Sequence, residues 1–196
     1  MKQERAIFYD IGDALEQFQA ETRDFWVFAY GSLMWEPGFP HLAVRPALLR
    51  GWHRRFCVYS LTYRGTPEQP GLVLGLDRGG ACRGLAFQVP RAETAPVLEY
   101  LWEREMTGIY EMRTVPVELP SEKVLACAFT VRRPHPEYAG RLALDEAAHH
   151  ILHGEGTRGR CRDYLENTVR HLEALDLADR TLHLLARRVR ELSEGA

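Results

Sequence analysis

Apolar residues fall into two patterns along this chain. In the first two thirds they gather in short bulky runs, and from Leu142 onward they recur at helical spacing. Phe25–Tyr30 (FWVFAY) is an unbroken apolar run rich in aromatic residues, which predicts a fully buried strand. Leu48–Leu61 predicts a longer strand. Trp52, Arg54, Phe56 and Val58 share one face there, and His53, Arg55, Cys57 and Tyr59 the other. Both faces are mixed, which fits a barrel wall or an inter-sheet position. Tyr63–Gly71 is dense in turn residues and predicts a loop. Leu72–Val89 reads as two strands joined by a hairpin at Asp77–Gly80. The runs MRTVPVEL and KVLACAFTV (Met112–Leu119, Lys123–Val131) predict two more strands.

Helical spacing appears first in Ala14–Arg23 and again in Glu93–Glu105, where Thr94 is a candidate N-cap and Pro96 falls in the first turn. Three further helices are predicted at Leu142–Leu152, Arg162–Leu175 and Arg180–Leu192, broken by HGEGTRGR and DLAD. The last carries Leu182, Leu185, Val189 and Leu192 on one face, a stripe that must pack on something. Strands come mostly first and helices mostly last, which predicts an α+β fold rather than alternating βαβ units.

Composition narrows the classes of function. A length of 196 residues suits one domain, and 45% hydrophobic residues suffice for a sizeable core. The formal net charge of −2 gives no general attraction to nucleic acid or an anionic membrane. Lys2 and Lys123 are the only lysines, so nearly all basic residues are arginines, whose forked guanidinium groups suit carboxylates and phosphates. Cys57, Cys82, Cys127 and Cys161 form no C-x-x-C pair and no zinc spacing. The start of the chain is polar, with no signal-like apolar segment, and no run is long enough to span a membrane. Free thiols in a soluble cytoplasmic protein are the expectation.

Three places could carry chemistry. Leu98, Leu101, Trp102 and Glu105 lie at i, i+3, i+4 and i+7, so Glu105 falls on the apolar stripe of its helix, near the C-terminus. Burial and the negative end of the helix dipole both oppose its ionisation, and a carboxyl raised in this way suits a general base or acid. An ion pair with a neighbouring arginine would explain the same pattern structurally. The turn at Gly31-Ser32 follows a buried strand. It could present backbone N–H groups to an anion, present Ser32 as a nucleophile, or be a plain turn. It is not the G-x-S-x-G elbow. His149 and His153 in HHILH stand one helical turn apart, a chelating spacing, with neither the H-E-x-x-H glutamate nor an evident third ligand. Solvated or capping histidines are expected there.

Several uncommon motifs occur in order: VFAYGSLMWEPGF (Val27–Phe39), GWHRRFCVYS (Gly51–Ser60), YRGTPEQPGLVLGLDRGGACRGLAFQV (Tyr63–Val89), EREMTGIY (Glu103–Tyr110) and GRCRDYLENTVRHLEALDL (Gly159–Leu177). Together they resemble the ChaC-type γ-glutamylcyclotransferases, in the glutathione-specific branch, over about Trp26 to Leu192. The resemblance implies a γ-glutamylcyclotransferase-like small mixed β-barrel with flanking helices and a helical C-terminal portion. Residues 1–24 would be an N-terminal extension and 25–196 the domain. The implied reaction is cleavage of glutathione to 5-oxoproline and cysteinylglycine, with no metal and no cofactor. By the same resemblance Glu105 is the general base, Val27, Phe28, Ala29, Tyr30, Gly31, Ser32 and Leu33 receive the γ-glutamyl group, and Tyr138 lies near the site. The chain departs from the family's usual pattern at Ala29, where glycine is common, and at TGIY, where many members have GGY. Ala29 matters only if that position needs a positive φ. An arginine is expected to hold a substrate carboxylate, with Arg55, Arg64 and Arg104 as candidates. Other readings remain open: a cyclotransferase for other γ-glutamyl peptides or amines, a serine hydrolase using Ser32 with a histidine such as His53, and a non-catalytic binding module.

Overall fold

The computed structural model describes residues 6–20, 23–177 and 179–195. Its elements run β1 (Ile7–Phe8), α1 (Ile11–Ala20), β2 (Phe25–Ala29), β3 (Ala43–Ser60), β4 (Gly71–Val89), α2 (Thr94–Glu105), β5 (Tyr110–Glu118), β6 (Lys123–Val131), α3 (Leu144–His153), β7 (Glu155–Gly156), β8 (Gly159–Arg160), α4 (Cys161–Ala174) and α5 (Arg180–Glu194). The predicted leading helix lies earlier than the apolar spacing suggested, and positions 21 and 22 of that expectation fall outside the described residues. The chain divides into two compact units. One takes the described residues up to His53 with Leu76–Arg132, and the other takes Arg54–Gly75 with Arg133 onward. β3 and β4 contribute residues to both.

The first unit is built on a closed sheet. The order β1-β5-β3-β4-β2-β6, with β5 also paired to β6, joins five strands into a barrel and leaves β1 as an addition on β5. The pairs β1–β5, β2–β4, β3–β5 and β5–β6 are antiparallel, while β2 runs parallel to β6, with Trp26 facing Ala126 and Val27 facing Cys127. Closure removes the exposed edges that a five-stranded sheet would otherwise carry. Inside lie Phe28, Ala47, Leu49, Leu76, Ala86, Val115, Val117, Ala126 and Ala128, all buried. Small residues at 47, 86, 126 and 128 make room for Phe28, which is how a narrow barrel fills without voids. Near the β5 start, the buried Glu111 carboxylate accepts from Arg113 and from the Thr130 hydroxyl, while the Arg113 guanidinium lies 5.6 Å from the Trp52 ring centre. That charge is therefore buried with partners.

One predicted feature is corrected here. Leu72–Val89 is not a hairpin: β4 runs uninterrupted for 19 residues. Gly79 (φ 108°) and Gly80 (φ 65°) do take the left-handed backbone that a tight turn needs, yet the chain passes straight on. A glycine pair supplies positive φ to a bulge as readily as to a turn. His53 of β3 packs beside this pair, its Nδ1–H donating to the Gly79 carbonyl at 2.9 Å. Gly51 (φ 83°) makes a similar break within β3. Burial there changes phase, from Ala47 and Leu49 before it to Arg54, Phe56 and Val58 after it. This shift explains why neither face of the strand read as cleanly apolar.

A second correction concerns the start of α2. A short 3₁₀ turn, Arg91–Glu93, leads into the helix, so Glu93 holds the N-cap position and Thr94 is already helical and buried. Of the predicted stripe, Leu98 and Leu101 are buried, with Val97 beside them, and Trp102 and Glu105 are half-buried. The helix ends at Glu105, and the chain turns into β5 through Gly108 (φ 92°). Gly108 is thus the glycine of TGIY that the backbone requires, and Thr107 stands where no positive φ is called for. Phe8, Phe18 and Phe25 stack in series, with ring centres 5.7 and 5.4 Å apart, and dock α1 on the unit.

The second unit is mostly helical. Of the expected stripe of α5, Leu182, Leu185 and Val189 are buried, with Ala186 beside them, and Leu192 is half-buried. Asp179 caps that helix by accepting from the N–H groups of Thr181 and Leu182, and its other oxygen lies 3.6 Å from the buried Arg54 guanidinium. The HGEGTRGR break contains the small β7–β8 pairing. Cys161 at the head of α4 ties to β4 in both directions: the Leu72 N–H donates to its Sγ at 3.3 Å, and the thiol donates to the Leu72 carbonyl at 2.9 Å. All four cysteines are buried thiols. Among the described residues no helix is long and apolar enough to cross a membrane.

Candidate active site

The Gly31-Ser32 bend is the start of a 3₁₀ turn. Gly31 caps it, Ser32–Met34 form it, and the Gly31 carbonyl accepts from Met34 N–H at 2.9 Å. The Ser32 carbonyl accepts from the N–H groups of both Trp35 and Glu36. The N–H groups of Ser32 and Leu33, at the head of the turn, take no part in these bonds, as expected for the first donors of any helical turn. Val27, Phe28, Ala29 and Leu33 are buried, so their side chains serve the core and only their backbone can meet a ligand. Ala29 closes strand β2, and among the described residues Asp176 alone is a non-glycine with positive φ. Alanine therefore fits that position without strain.

Glu105 sits at the C-terminal end of α2 with 21% of its side chain exposed. Burial pushes its carboxyl above the ordinary glutamate value, and the adjacent Arg104 pulls in the opposite direction without cancelling it. Across from it, the Cys127 thiol of β6 is raised far above its usual range, first by burial and then by the Glu105 charge. The sequence placed Glu105 on the apolar stripe and offered an arginine ion pair as an alternative explanation. Both features are present together, for Arg104 Nε lies 3.1 Å from Glu105 Oε1.

Arg104 also joins the two parts of the site. Its Nη2 donates to Ser32 Oγ at 3.2 Å, and its Nη1 donates to the Glu36 carbonyl at 2.8 Å and to Tyr100 Oη at 2.7 Å. The turn after β2 and the end of α2, 72 residues apart in sequence, are thus held to one guanidinium. Sequence reasoning missed this junction and missed Tyr100. The one available signal was the i, i+4 spacing of Tyr100 and Arg104 on the helix.

The other candidates have partners of their own. Arg64 lies in the second unit, donating to the Arg158 and Arg160 carbonyls and lying over the Tyr164 ring. Arg55 also belongs to that unit. Tyr138 belongs there too, in an isolated bridge with Val58 and under the Arg133 guanidinium. His53 does not hydrogen-bond Ser32. Its Nδ1–H is spent on Gly79, and its buried Nε2 has no partner among the described residues. In α3, His150 bonds the Pro70 carbonyl at 3.0 Å, while the His149 and His153 rings stack 4.4 Å apart. Among the described residues no three His, Cys, Asp or Glu side chains come together as a metal site.

The family model described as ChaC-like protein matches residues 25–192. The chain is 34% identical over 169 residues to the glutathione-specific gamma-glutamylcyclotransferase of Escherichia coli, covering 85% of this chain and 73% of that protein. It is likewise 34% identical over 146 residues to glutathione-specific gamma-glutamylcyclotransferase 1 of Homo sapiens, covering 71% of this chain and 66% of the human protein. Among solved structures, a gamma-glutamylcyclotransferase specific to glutathione from yeast superposes with a TM-score of 0.76 at 23% identity, over 86% of this chain and 99% of that one. That similarity establishes the barrel fold.

Proposed function

The chain belongs to the ChaC-like protein family, and from that premise we propose that it is a glutathione-specific γ-glutamylcyclotransferase with Glu105 as its general base and acid. The observation that carries the proposal is the Glu105 carboxyl. It is held up in pKa by burial and fixed through Arg104 to the turn at Ser32.

The chemistry asks for what this cluster can supply. In glutathione the α-amine attacks the γ-carbonyl of the same glutamyl unit, closing a five-membered lactam and expelling the amine of cysteinylglycine. Nucleophile and leaving group both belong to the substrate, so the reaction as proposed draws on no cofactor and no enzyme nucleophile. Holding amine and carbonyl in a near-attack geometry is worth about 7–11 kcal/mol in well-oriented intramolecular reactions. The amine arrives as ammonium and loses two protons on becoming the lactam N–H, while the leaving amide nitrogen gains two on becoming the cysteinylglycine ammonium. Glu105 accepts the first so that the amine can attack, then passes protons in turn to the leaving nitrogen. Val27–Leu33 receives the γ-glutamyl unit. Its contribution is backbone: N–H groups at the head of the turn, including those of Ser32 and Leu33, face the charge that develops on the tetrahedral oxygen. Tyr30, half-buried against the barrel core, is part of the same segment, and Tyr138 is included as a substrate contact on the family resemblance alone. Residues 25–196 form the catalytic domain in this proposal, with 1–24 an extension, and the protein works in the cytoplasm.

Incubation with glutathione tests the reading, with 5-oxoproline and cysteinylglycine as the expected products. Free glutamate in place of 5-oxoproline would replace cyclisation by hydrolysis. A parallel reaction with γ-glutamyl-alanine separates glutathione specificity from general γ-glutamyl activity: comparable turnover would widen the substrate class.

Ser32 is a part of the turn in this mechanism, not a nucleophile. Ser32→Ala removes one hydrogen bond to a charged partner, worth about 1.5–3 kcal/mol at most. The variant is expected to keep measurable lactam formation, reduced by roughly tenfold. A covalent acyl group trapped on Ser32 and seen by mass spectrometry would reverse the assignment.

A further inference from the structure

We propose that Arg104 is a positioning residue that sets the spacing between the Ser32 turn and the Glu105 carboxylate, rather than a receptor for a substrate carboxylate. The proposal rests on the reading of Glu105 as the base. Its ground is how fully the guanidinium is engaged. Nε pairs with Glu105 Oε1 at 3.1 Å, Nη1 reaches the Glu36 carbonyl, the Pro37 carbonyl and Tyr100 Oη at 2.8, 3.4 and 2.7 Å, and Nη2 reaches Ser32 Oγ at 3.2 Å. Gripping a carboxylate with two parallel N–H bonds needs a free edge of the fork, and every nitrogen here already serves the protein. Only a rigid planar cation reaches acceptors in these separate directions at once; an ammonium on a flexible stem does not.

Arg104 is itself held in place. The Tyr100 ring lies under it at 5.9 Å, and Tyr100 in turn fits against Gly38. A Cβ at Gly38 would stand 2.1 Å from Tyr100 Oη, and its φ of 74° is one that side-chain-bearing residues rarely adopt. The order Gly38, Tyr100, Arg104, then Ser32 and Glu105, is a continuous line of contacts within the first unit.

The same contacts set how Glu105 titrates. The groups acting on its carboxyl are Arg104 on its own helix and the Cys127 thiol on β6. The thiol stays protonated and adds no charge. The turn meets Arg104 with the Ser32 hydroxyl and the Glu36 and Pro37 carbonyls, none of which titrates, and the Glu36 residue itself is exposed. Burial raises Glu105 and Arg104 lowers it. Without Arg104 the carboxyl moves further up, so a base that must be ionised becomes available only at higher pH.

The test compares the intact wild-type chain with Arg104→Met, Arg104→Lys and Ser32→Ala. Two measurements are made on each: kcat and KM for glutathione across pH, and carbon-NMR titration of the Glu105 carboxyl. Arg104→Met is expected to lose about 10²-fold in kcat, as a misplaced turn would, with KM changed by less than about threefold. Its Glu105 titration and the acid limb of kcat should both move up in pH. Arg104→Lys should keep the limb near its wild-type place, since the charge remains, while recovering only part of kcat. Ser32→Ala should leave the titration unmoved. A raised KM with unchanged kcat in Arg104→Met would make the arginine a substrate receptor and overturn the proposal, as would an unmoved Glu105 titration. If Arg104→Met does not fold, the lysine variant decides by the same split between charge and geometry. The NMR titration needs no turnover, so a wild-type protein inactive on glutathione would defeat the cyclotransferase reading and still leave this inference open to its own result.

Discussion

Glu105→Gln is expected to stop lactam formation while leaving the fold in place. Glutamine keeps the shape of the side chain and cannot take a proton from the substrate ammonium. The loss expected from removing a general base is about 10²–10⁴-fold in kcat. Because the site is partly exposed and glutamine is isosteric, the melting temperature should stay within a few degrees of the wild type. The wild-type pH profile carries the matching signature. Glu105 must be ionised to act, so kcat rises with pH as the carboxyl loses its proton. Burial outweighs Arg104, which places the midpoint of that rise above the ordinary glutamate value of 4.5. In Glu105→Gln that limb should vanish along with the activity. Near-normal 5-oxoproline formation by a folded Glu105→Gln protein would move the role of base to another group.

Gly84→Ala is expected to damage both stability and turnover, although Gly84 is not itself among the residues proposed to bind or act on the substrate. A Cβ there would lie 2.3 Å from the Ala29 carbonyl oxygen and 2.9 Å from the edge of the Phe28 ring. The oxygen belongs to the backbone of β2, whose Ala29 pairs with Leu85, so relief requires opening that ladder. Phe28 fills the barrel interior at 1% exposure and has no room to withdraw. Overpacking of this kind costs about 1–3 kcal/mol, which lowers the melting temperature of a chain this size by roughly 2–4 °C per kcal/mol. The displaced strand ends one residue before Tyr30, so the turn it delivers shifts with it. A shift near 1 Å costs about 10²-fold in rate. Thermal melts and kcat measured well below the melting point give the two effects separately. A Gly84→Ala protein that melts and turns over like the wild type would show that β2 is not what aims the turn.

The two substitutions mark where the sequence was legible. Strands β2 and β6 and helices α2, α4 and α5 emerge near their predicted places because apolar runs and helical stripes record burial directly. Glu105 was visible on the same basis, as a charge on a stripe that should face the core. The hairpin predicted at Asp77–Gly80 failed for a definite reason. Two glycines state that the backbone takes positive φ, and both a turn and a bulge satisfy that statement. The choice belonged to β3, long enough to keep a continuous partner strand beside it. Thr94 failed as a cap because the preceding 3₁₀ turn moved the helix boundary by one residue.

The chain's own pattern, with its motifs, determined the class of fold, the buried strand that ends in a sharp turn, and the carboxyl on the apolar face of a helix. Those are local matters: each depends on residues within a few turns or one strand. What joins them was decided in three dimensions. Ser32 read as nucleophile, cradle or plain bend until the Arg104 guanidinium stood 3.2 Å from its oxygen and 3.1 Å from Glu105. Arg104 likewise read as one of three candidate arginines for a substrate carboxylate. No spacing rule connects positions 72 residues apart, since their meeting depends on how the barrel closes and where α2 docks upon it. Barrel closure and helix docking are set by the summed packing of the core, and only that packing brings one arginine within reach of both halves of the site.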